Sequence, residues 1–263
     1  MNTEDNSNAT HGTPIVLIFG QSNAGTLYYS GALQDTLEAM ESDAEVVMVA
    51  RGATSVAHPD GAWNIITGDG EDTPGDLAVD LMQTVEDLDG TDRYIAGAIW
   101  IQGESDRSVG DDYYDAAKAL FDSFQAALDA PVPITIFGLS DMQTGSDGTG
   151  HQLVVAAQQQ LADDHSEIYF IDTDQVFADS GLSQEEAMRD GLHYSEAFHL
   201  EMAEAALNQP VMQMALALMH SGDDGHSDDD GHSGDDGHSG GDDQSSGHDH
   251  SCLLYTSPSP RDA

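Results

Sequence analysis

The sequence predicts an α/β fold: a three-layer α/β/α sandwich around a five-stranded parallel sheet of order 2-1-3-4-5. Three observations predict it. Short apolar runs without charge alternate along the chain with stretches whose apolar residues recur every three or four positions. Strands that alternate with helices imply right-handed parallel crossovers and helices on both faces of the sheet. The first run, Pro14-Ile-Val-Leu-Ile-Phe19, shows no polar alternation, as expected of a strand buried on both faces.

Taken in order, the first strand covers residues 14–19 and stops at Gly20, which permits a sharp turn. Gln21, Ser22 and Asn23 then emerge at the carboxyl edge of the sheet, where open α/β sheets bind ligands. Residues 33–40 have helical character, and residues 45–50 form the second strand, followed by the loop Arg51-Gly-Ala-Thr-Ser55. Leu77, Leu81, Val85 and Leu88 mark one helix face. Residues 94–101 supply the third strand, which opens into Gln102-Gly-Glu-Ser-Asp106. The clearest helical stripe is Tyr113, Ala117, Leu120, Phe121, Phe124 and Leu128, with Asp111 placed to cap it. Residues 133–139 are the fourth strand, Leu153, Ala157 and Leu161 mark a helix, and residues 168–171 are the fifth strand. Asp190-Gly-Leu-His193 and a helix over residues 195–207 follow, and Pro210 is expected to stop or kink that helix. The ends of strands one, two, three and five thereby bring Ser22, Gly52, Gln102 with Glu104, and Asp190 with His193 to one rim.

Composition divides the chain near residue 220. Residues 1–13 are a polar, disordered amino terminus, residues 14–219 one globular domain, and residues 220–251 a low-complexity run of His, Ser, Gly and Asp. That run has almost no apolar side chains and cannot offset an ordering entropy of about 1–2 kcal/mol per residue. Its histidines, His226, His232 and His238 among them, could hold zinc, copper or nickel loosely, while a solvated tail explains the same composition. Residues 252–263 resemble the translation of a sequencing adaptor and are set apart from the fold. Of 263 residues, 49 are acidic and 6 basic; the segment after residue 219 holds eleven of the aspartates and one arginine, which leaves the domain 38 acidic and 5 basic residues. Nucleic acid and anionic membranes are poor partners for such a surface, and adaptation to salt explains it. Cys252 is the single cysteine, so no disulfide framework exists within the domain. Residues 1–13 lack the basic and apolar regions of a signal peptide, and residues 211–219 are too short and too interrupted to span a bilayer, so a soluble chain is expected, with secretion open if the true start lies upstream.

Four segments could carry chemistry together. A serine hydroxyl becomes a nucleophile when a neighbouring base takes its proton, and the base needs an acid to fix its tautomer. Ser22 is the candidate nucleophile, His193 the base and Asp190 its acid, the last two being three positions apart on one turn. An oxyanion hole would use the backbone N–H of Ser22, the small residues Gly52 and Ala53, and the side-chain amide of Gln102. Glu104, which cannot donate while ionised, is assigned to orientation, holding Gln102 or the loop or helping the histidine as an auxiliary acid, and Gln21 and Asn23 support the nucleophile turn. Taken singly, each segment has a plainer reading. Ser22 could cap a helix, Asp190 and His193 could form an ordinary polar turn, and Gln102 with Glu104 could stabilise their own loop. His11, His58, His151, His165 and His199 lack the Asp three positions earlier, and His165 and His199 read as structural.

Gly20-Gln-Ser-Asn23, Gly52-Ala-Thr-Ser-Val56, Trp100-Ile-Gln-Gly-Glu-Ser-Asp106 and Asp190-Gly-Leu-His193 resemble, in order, the blocks of the sialate O-acetylesterase-like branch of the SGNH hydrolases. That branch includes the family six acetylxylan esterases. The resemblance spans residues 14–207 and implies a flavodoxin-like fold and cofactor-free hydrolysis of O-acetyl esters, commonly on sugars. It puts the nucleophile at Ser22, the base at His193, the acid at Asp190 and the oxyanion donors at Ser22, the Gly52 loop and Gln102. The second block usually reads Gly-Gly-Thr-Ser, whereas this chain has Ala53, which matters if the loop needs positive φ there. Trp63 follows that block and reads equally as a wall of the acyl pocket or as core. A lipase, thioesterase or arylesterase on the same scaffold, or a non-catalytic carbohydrate-binding module, would share much of this pattern.

Overall fold

The computed structural model describes residues 12–65, 74–88 and 91–217. The expectations for residues 1–11, for the tail histidines His226, His232 and His238, and for residues 252–263 lie outside the described residues. In chain order the elements are β1 (Thr13–Gly20), α1 (Ser22–Ser30), α2 (Ala32–Ala39), β2 (Glu45–Ala50), α3 (Asp76–Leu88) and β3 (Arg93–Ile101). A 3₁₀ segment (Glu104–Asp112) leads into α4 (Tyr113–Ala126), followed by β4 (Ile134–Phe137), α5 (Thr149–Asp164) and β5 (Ile168–Ile171). The chain closes with α6 (Thr173–Ser180), α7 (Gln184–Ala187), α8 (Glu196–Leu207) and α9 (Pro210–Ala217).

The five strands pair in parallel in the order β2-β1-β3-β4-β5, as the sequence predicts. Successive side chains of a strand point to opposite faces, and β1 accordingly splits between two cores. Ile15, Leu17 and Phe19 pack with Trp63, Trp100 and the apolar stripes of α3, α4 and α5. Val16 and Ile18 pack with Leu27 of α1, Leu33 and Leu37 of α2, Phe198 and Met202 of α8 and Met212 of α9. Helices therefore cover both faces, giving the three layers. At the carboxyl edge Gly20 pairs with Ala50 of β2 and with Ile101 of β3, so three strands end level.

One local expectation differs from the structure. Asp111 does not cap α4: the 3₁₀ segment runs straight into the helix, and Asp112 at its start makes no side-chain capping bond. As expected, α8 stops at Leu207, ahead of Pro210, and Pro210 then begins α9, because a proline fits the first helical turn, where its missing N–H would have no partner. Among the described residues, no helix is long and apolar enough to cross a membrane.

Candidate active site

Gly20 sets the first functional turn. Its φ is +138°, and a Cβ there would stand 2.1 Å from the Ile101 carbonyl oxygen, so only glycine lets β1 turn this close to β3. Gln21 donates its backbone N–H to that same carbonyl at 3.0 Å, and Ser22 becomes the first residue of α1. Ser22 is thus not the helix cap; Gln21 occupies that position, without a side-chain capping bond. The Ser22 hydroxyl is partly exposed and makes no hydrogen bond among the described residues. Across from it, a Cβ on Gly52 would lie 3.6 Å from the Ser22 Cβ, so the loop after β2 faces the serine. The backbone N–H groups of Ser22 and Gly52 have no acceptor among the described residues.

The Asp190–His193 turn does not leave β5 directly, as the rim expectation has it; α6 and α7 intervene. A single antiparallel bridge between Met188 and Tyr194 closes the turn. Inside it, Asp190 accepts the backbone N–H groups of Leu192 and His193, both at 2.8 Å, and its Oδ2 lies 2.9 Å from His193 Nδ1. The His193 backbone N–H, then its ring, then the Leu192 N–H hold the Asp190 carboxyl far below the usual carboxylate range. With Nδ1 facing the carboxylate, Nε2 points the other way.

Asn23 joins this turn to the serine. Its side-chain amide donates to the Leu192 carbonyl at 3.3 Å, and its Oδ1 accepts the Tyr194 N–H at 3.3 Å. The residues flanking His193 are therefore bonded to the residue that follows Ser22. The same amide donates to Glu104 at 2.6 Å, so Glu104 orients Asn23 and makes no hydrogen bond to Gln102 or His193.

Gln102 is fully buried at the end of β3, and its amide hydrogens have other duties than those expected. Nε2 donates to the Thr54 carbonyl at 3.1 Å and to the Asp106 carboxylate. In this arrangement the side chain ties the Gly52 loop to β3 and has no hydrogen left for an oxyanion. Asp106 completes the tie by accepting from the Ser55 hydroxyl and from the N–H groups of Val56 and Ala57. Ala53 sits in that loop at φ +57°. Trp63 is core: it is wholly buried against Phe19 and Trp100, and its indole N–H donates to Thr54 at 3.1 Å.

A polar cleft of about 490 Å³ runs beside Gly52, lined by Arg51, Thr54, His58, Asp60 and Ser105. Arg51 is bound at its edge by a bidentate pair with Asp76, both contacts at 2.7 Å. Among the described residues no three His, Cys, Asp or Glu side chains cluster as a metal site.

A model of the family described as "carbohydrate esterase, sialic acid-specific acetylesterase" matches residues 36–210. The chain belongs to this family. The matched span includes the second, third and fourth motif blocks and begins after Ser22, and it bears out the resemblance drawn from the four blocks together. As a carbohydrate esterase of the acetylesterase type, the chain is a carboxylic ester hydrolase. Among solved structures it is similar to the acetylxylan esterase Axe2 of Geobacillus stearothermophilus, at 15% identity over 75% of this chain and 94% of that one, with a TM-score of 0.51. It is also similar to XAC1771, a carbohydrate acetylesterase of Xanthomonas citri, at 11% identity over 78% of this chain and 56% of that one, with a TM-score of 0.53. A protein of Arabidopsis thaliana matches at 19% identity over 72% of this chain and 66% of its own length, with a TM-score of 0.49. At these identities the likeness to Axe2 and to XAC1771 speaks for the shared fold alone. No curated protein matches the chain.

Beyond the motif blocks, this esterase has one residue at the site that the sequence reading passes over. Gln143, from the loop after β4, is 2% exposed and reaches Glu104, Leu192 and Arg107. A lone Gln in a polar loop carries no sequence signal for such a position.

Proposed function

We propose that the chain hydrolyses O-acetyl esters of carbohydrates or similar polyols through an acyl-enzyme on Ser22, with His193 as base and Asp190 as its partner. The observation that carries the reading is the Asp190–His193 pair, with one ring nitrogen on the carboxylate and the flanking residues bonded to Asn23. The cleft beside Gly52, lined by Thr54, Ser55, His58, Asp60 and Ser105, offers hydrogen-bonding groups of the kind a hydroxyl-rich alcohol would use.

In this reading Ser22 Oγ bonds to the ester carbonyl carbon while His193 Nε2 takes the hydroxyl proton. The N–H groups of Ser22 and Gly52 receive the oxyanion, a type of contact worth about 3 kcal/mol for each donor. As the tetrahedral species collapses, the bond to the alcohol oxygen breaks and His193 returns the proton to that oxygen. Water then gives a proton to His193 and its oxygen to the acetyl carbon. Acetate leaves, and Ser22 recovers the proton. No cofactor takes part in these steps.

Ser22→Ala is expected to lower hydrolysis of aryl acetates and acetylated sugars by at least about 10³-fold. Unchanged hydrolysis would overturn the mechanism. Faster turnover of octanoyl than of acetyl esters would overturn the acetyl assignment and leave the nucleophile standing.

A further inference from the structure

The Asp190–His193 turn is exposed and closes mostly on itself: Asp190 and His193 retain 48% and 24% of their side-chain exposure. Its place beside the serine's helix therefore rests on the few bonds that reach it from outside. Asn23 supplies two of them, from the serine's own helix. The loop after β4 supplies others. Gln143 Nε2 stands 3.2 Å from the Leu192 carbonyl, the peptide oxygen that immediately precedes His193. The Thr144 N–H donates to the Gly191 carbonyl at 2.7 Å, and a Cβ on Gly191 would stand 2.4 Å from the Thr144 hydroxyl, so the two loops are moulded on each other.

Gln143 is itself fixed at both ends. Its Oε1 accepts from Arg107 at 2.7 Å, and its Nε2 also reaches Glu104 Oε1 at 3.1 Å and the Tyr194 hydroxyl oxygen at 3.3 Å. Asn23 donates to the same two acceptors, Glu104 and Leu192. Two amides from different elements thus share one carboxylate and one carbonyl, and their crossing joins the serine's helix to the histidine's turn. Burial makes the arrangement stiff, because a displaced amide would leave its partners without hydrogen bonds away from water.

We infer that Gln143 is a positioning residue for His193: with Glu104 as the shared anchor, it fixes the Leu192 carbonyl and with it the distance from the imidazole to Ser22. This inference rests on His193 as the base that serves Ser22. Catalytic groups must be held to within about 0.5 Å, and a displacement of about 1 Å can cost 10²-fold in rate.

The test is Gln143→Met, which keeps the volume and removes both amide hydrogens. Active sites are counted by burst titration with an aryl phosphonate that labels serine hydrolases, and kcat is expressed per titrated site. The expected result is a 10- to 100-fold fall in kcat with KM within threefold, slower labelling of Ser22, and a smaller additional loss when Glu104→Gln is combined with it than when Glu104→Gln stands alone. Fewer titrated sites with wild-type kcat at each would assign Gln143 to folding and overturn the inference. Where Gln143→Met does not fold, Gln143→Asn, with its amide drawn back by one methylene, carries the same comparison. Ser22→Ala separates the two levels: if it retains activity, the reading of the site fails, whereas an inactive Ser22→Ala beside a fully active Gln143→Met refutes the positioning role alone.

Discussion

The Asp106 carboxylate accepts the backbone N–H of Ala57 at 2.8 Å, joining the 3₁₀ segment after β3 to the loop that faces Ser22. The Ser55 hydroxyl, the Val56 N–H and the Gln102 amide converge on the same fully buried carboxylate. The loop carrying Gly52 is short of apolar side chains, so these bonds to one anion define its path. Asp106→Asn puts an NH₂ group where an oxygen now accepts, and at least one N–H donor loses its partner. Hydrogen bonds to charged groups contribute about 1.5–3 kcal/mol each, so the loss in unfolding free energy is expected at about 3 kcal/mol. Denaturant titration measures it. Because the loop then wanders, kcat for acetyl esters should fall about tenfold or more. A variant with wild-type stability and kcat would remove Asp106 from any role in the loop.

Ala53 adopts φ +57° in that loop, where the related motif block usually has glycine. An L-residue with a Cβ is strained there by about 1–2 kcal/mol. Glycine relieves the strain but enlarges the freedom of the unfolded chain, which costs about 0.5–1 kcal/mol. Ala53→Gly is therefore expected to raise the unfolding free energy by about 0.5–1 kcal/mol. The backbone N–H remains, so kcat should stay within about twofold. A clear fall in melting temperature would mean that the Ala53 methyl makes contacts worth more than its strain.

How much of this was legible in the sequence depended on range. β2 and β5 have the bounds the apolar runs predict, and β1 gains Thr13, which pairs with Arg93, and Gly20, which pairs with Ala50 and Ile101. Those signals are local: apolar runs cut off by glycine or polar residues. Helix α1 carries no local signal, since Ser22-Asn-Ala-Gly-Thr has no amphipathic stripe; it buries Asn23 against Leu192 and Tyr194, far along the chain. The motif blocks supplied the residue types of the site but not their partners. Gln102 reads as a free amide until Asp106 and Thr54 are seen to take its hydrogens. Gln143 lies in no block at all, since its value comes from neighbours 39 and 49 positions away.

Charge makes a further prediction. Four of the five domain bases pair with carboxylates: Arg51 with Asp76, Arg93 with Glu45, Lys118 with Asp122 and Arg189 with Asp190. All four pairs are substantially exposed, and such pairs contribute about 0–1 kcal/mol each. Salt weakens them, but it also screens the repulsion among the 38 domain carboxylates, a far more numerous set of interactions. Screening should prevail, and the melting temperature should rise from low to molar sodium chloride. A flat or falling curve would count against adaptation to salt.

His199 predicts the acid limb of stability. It is 2% exposed on α8, its Nε2 meets the Thr26 hydroxyl at 3.3 Å, and its Nδ1 has no partner among the described residues. Burial, with a smaller contribution from Arg189, pushes its pKa down to about 4. In the unfolded chain an imidazole titrates at about 6.5, so between these values the unfolded state holds a proton that the native state lacks. The sign follows: stability rises with pH through that window and is lost on acidification. Going from pH 7 to pH 5, this one group should remove about 2 kcal/mol of unfolding free energy. Buried His151, also lowered by desolvation, adds a loss of the same sign, so the comparison must be made against a variant. His199→Gln keeps a polar group toward Thr26 and does not titrate, and its loss between pH 7 and pH 5 should be smaller by about that amount. Denaturant titrations of both proteins at the two pH values measure the difference. Equal losses would mean that His199 is already accessible to protons in the native state, with α1 and α8 opening at the Thr26 contact.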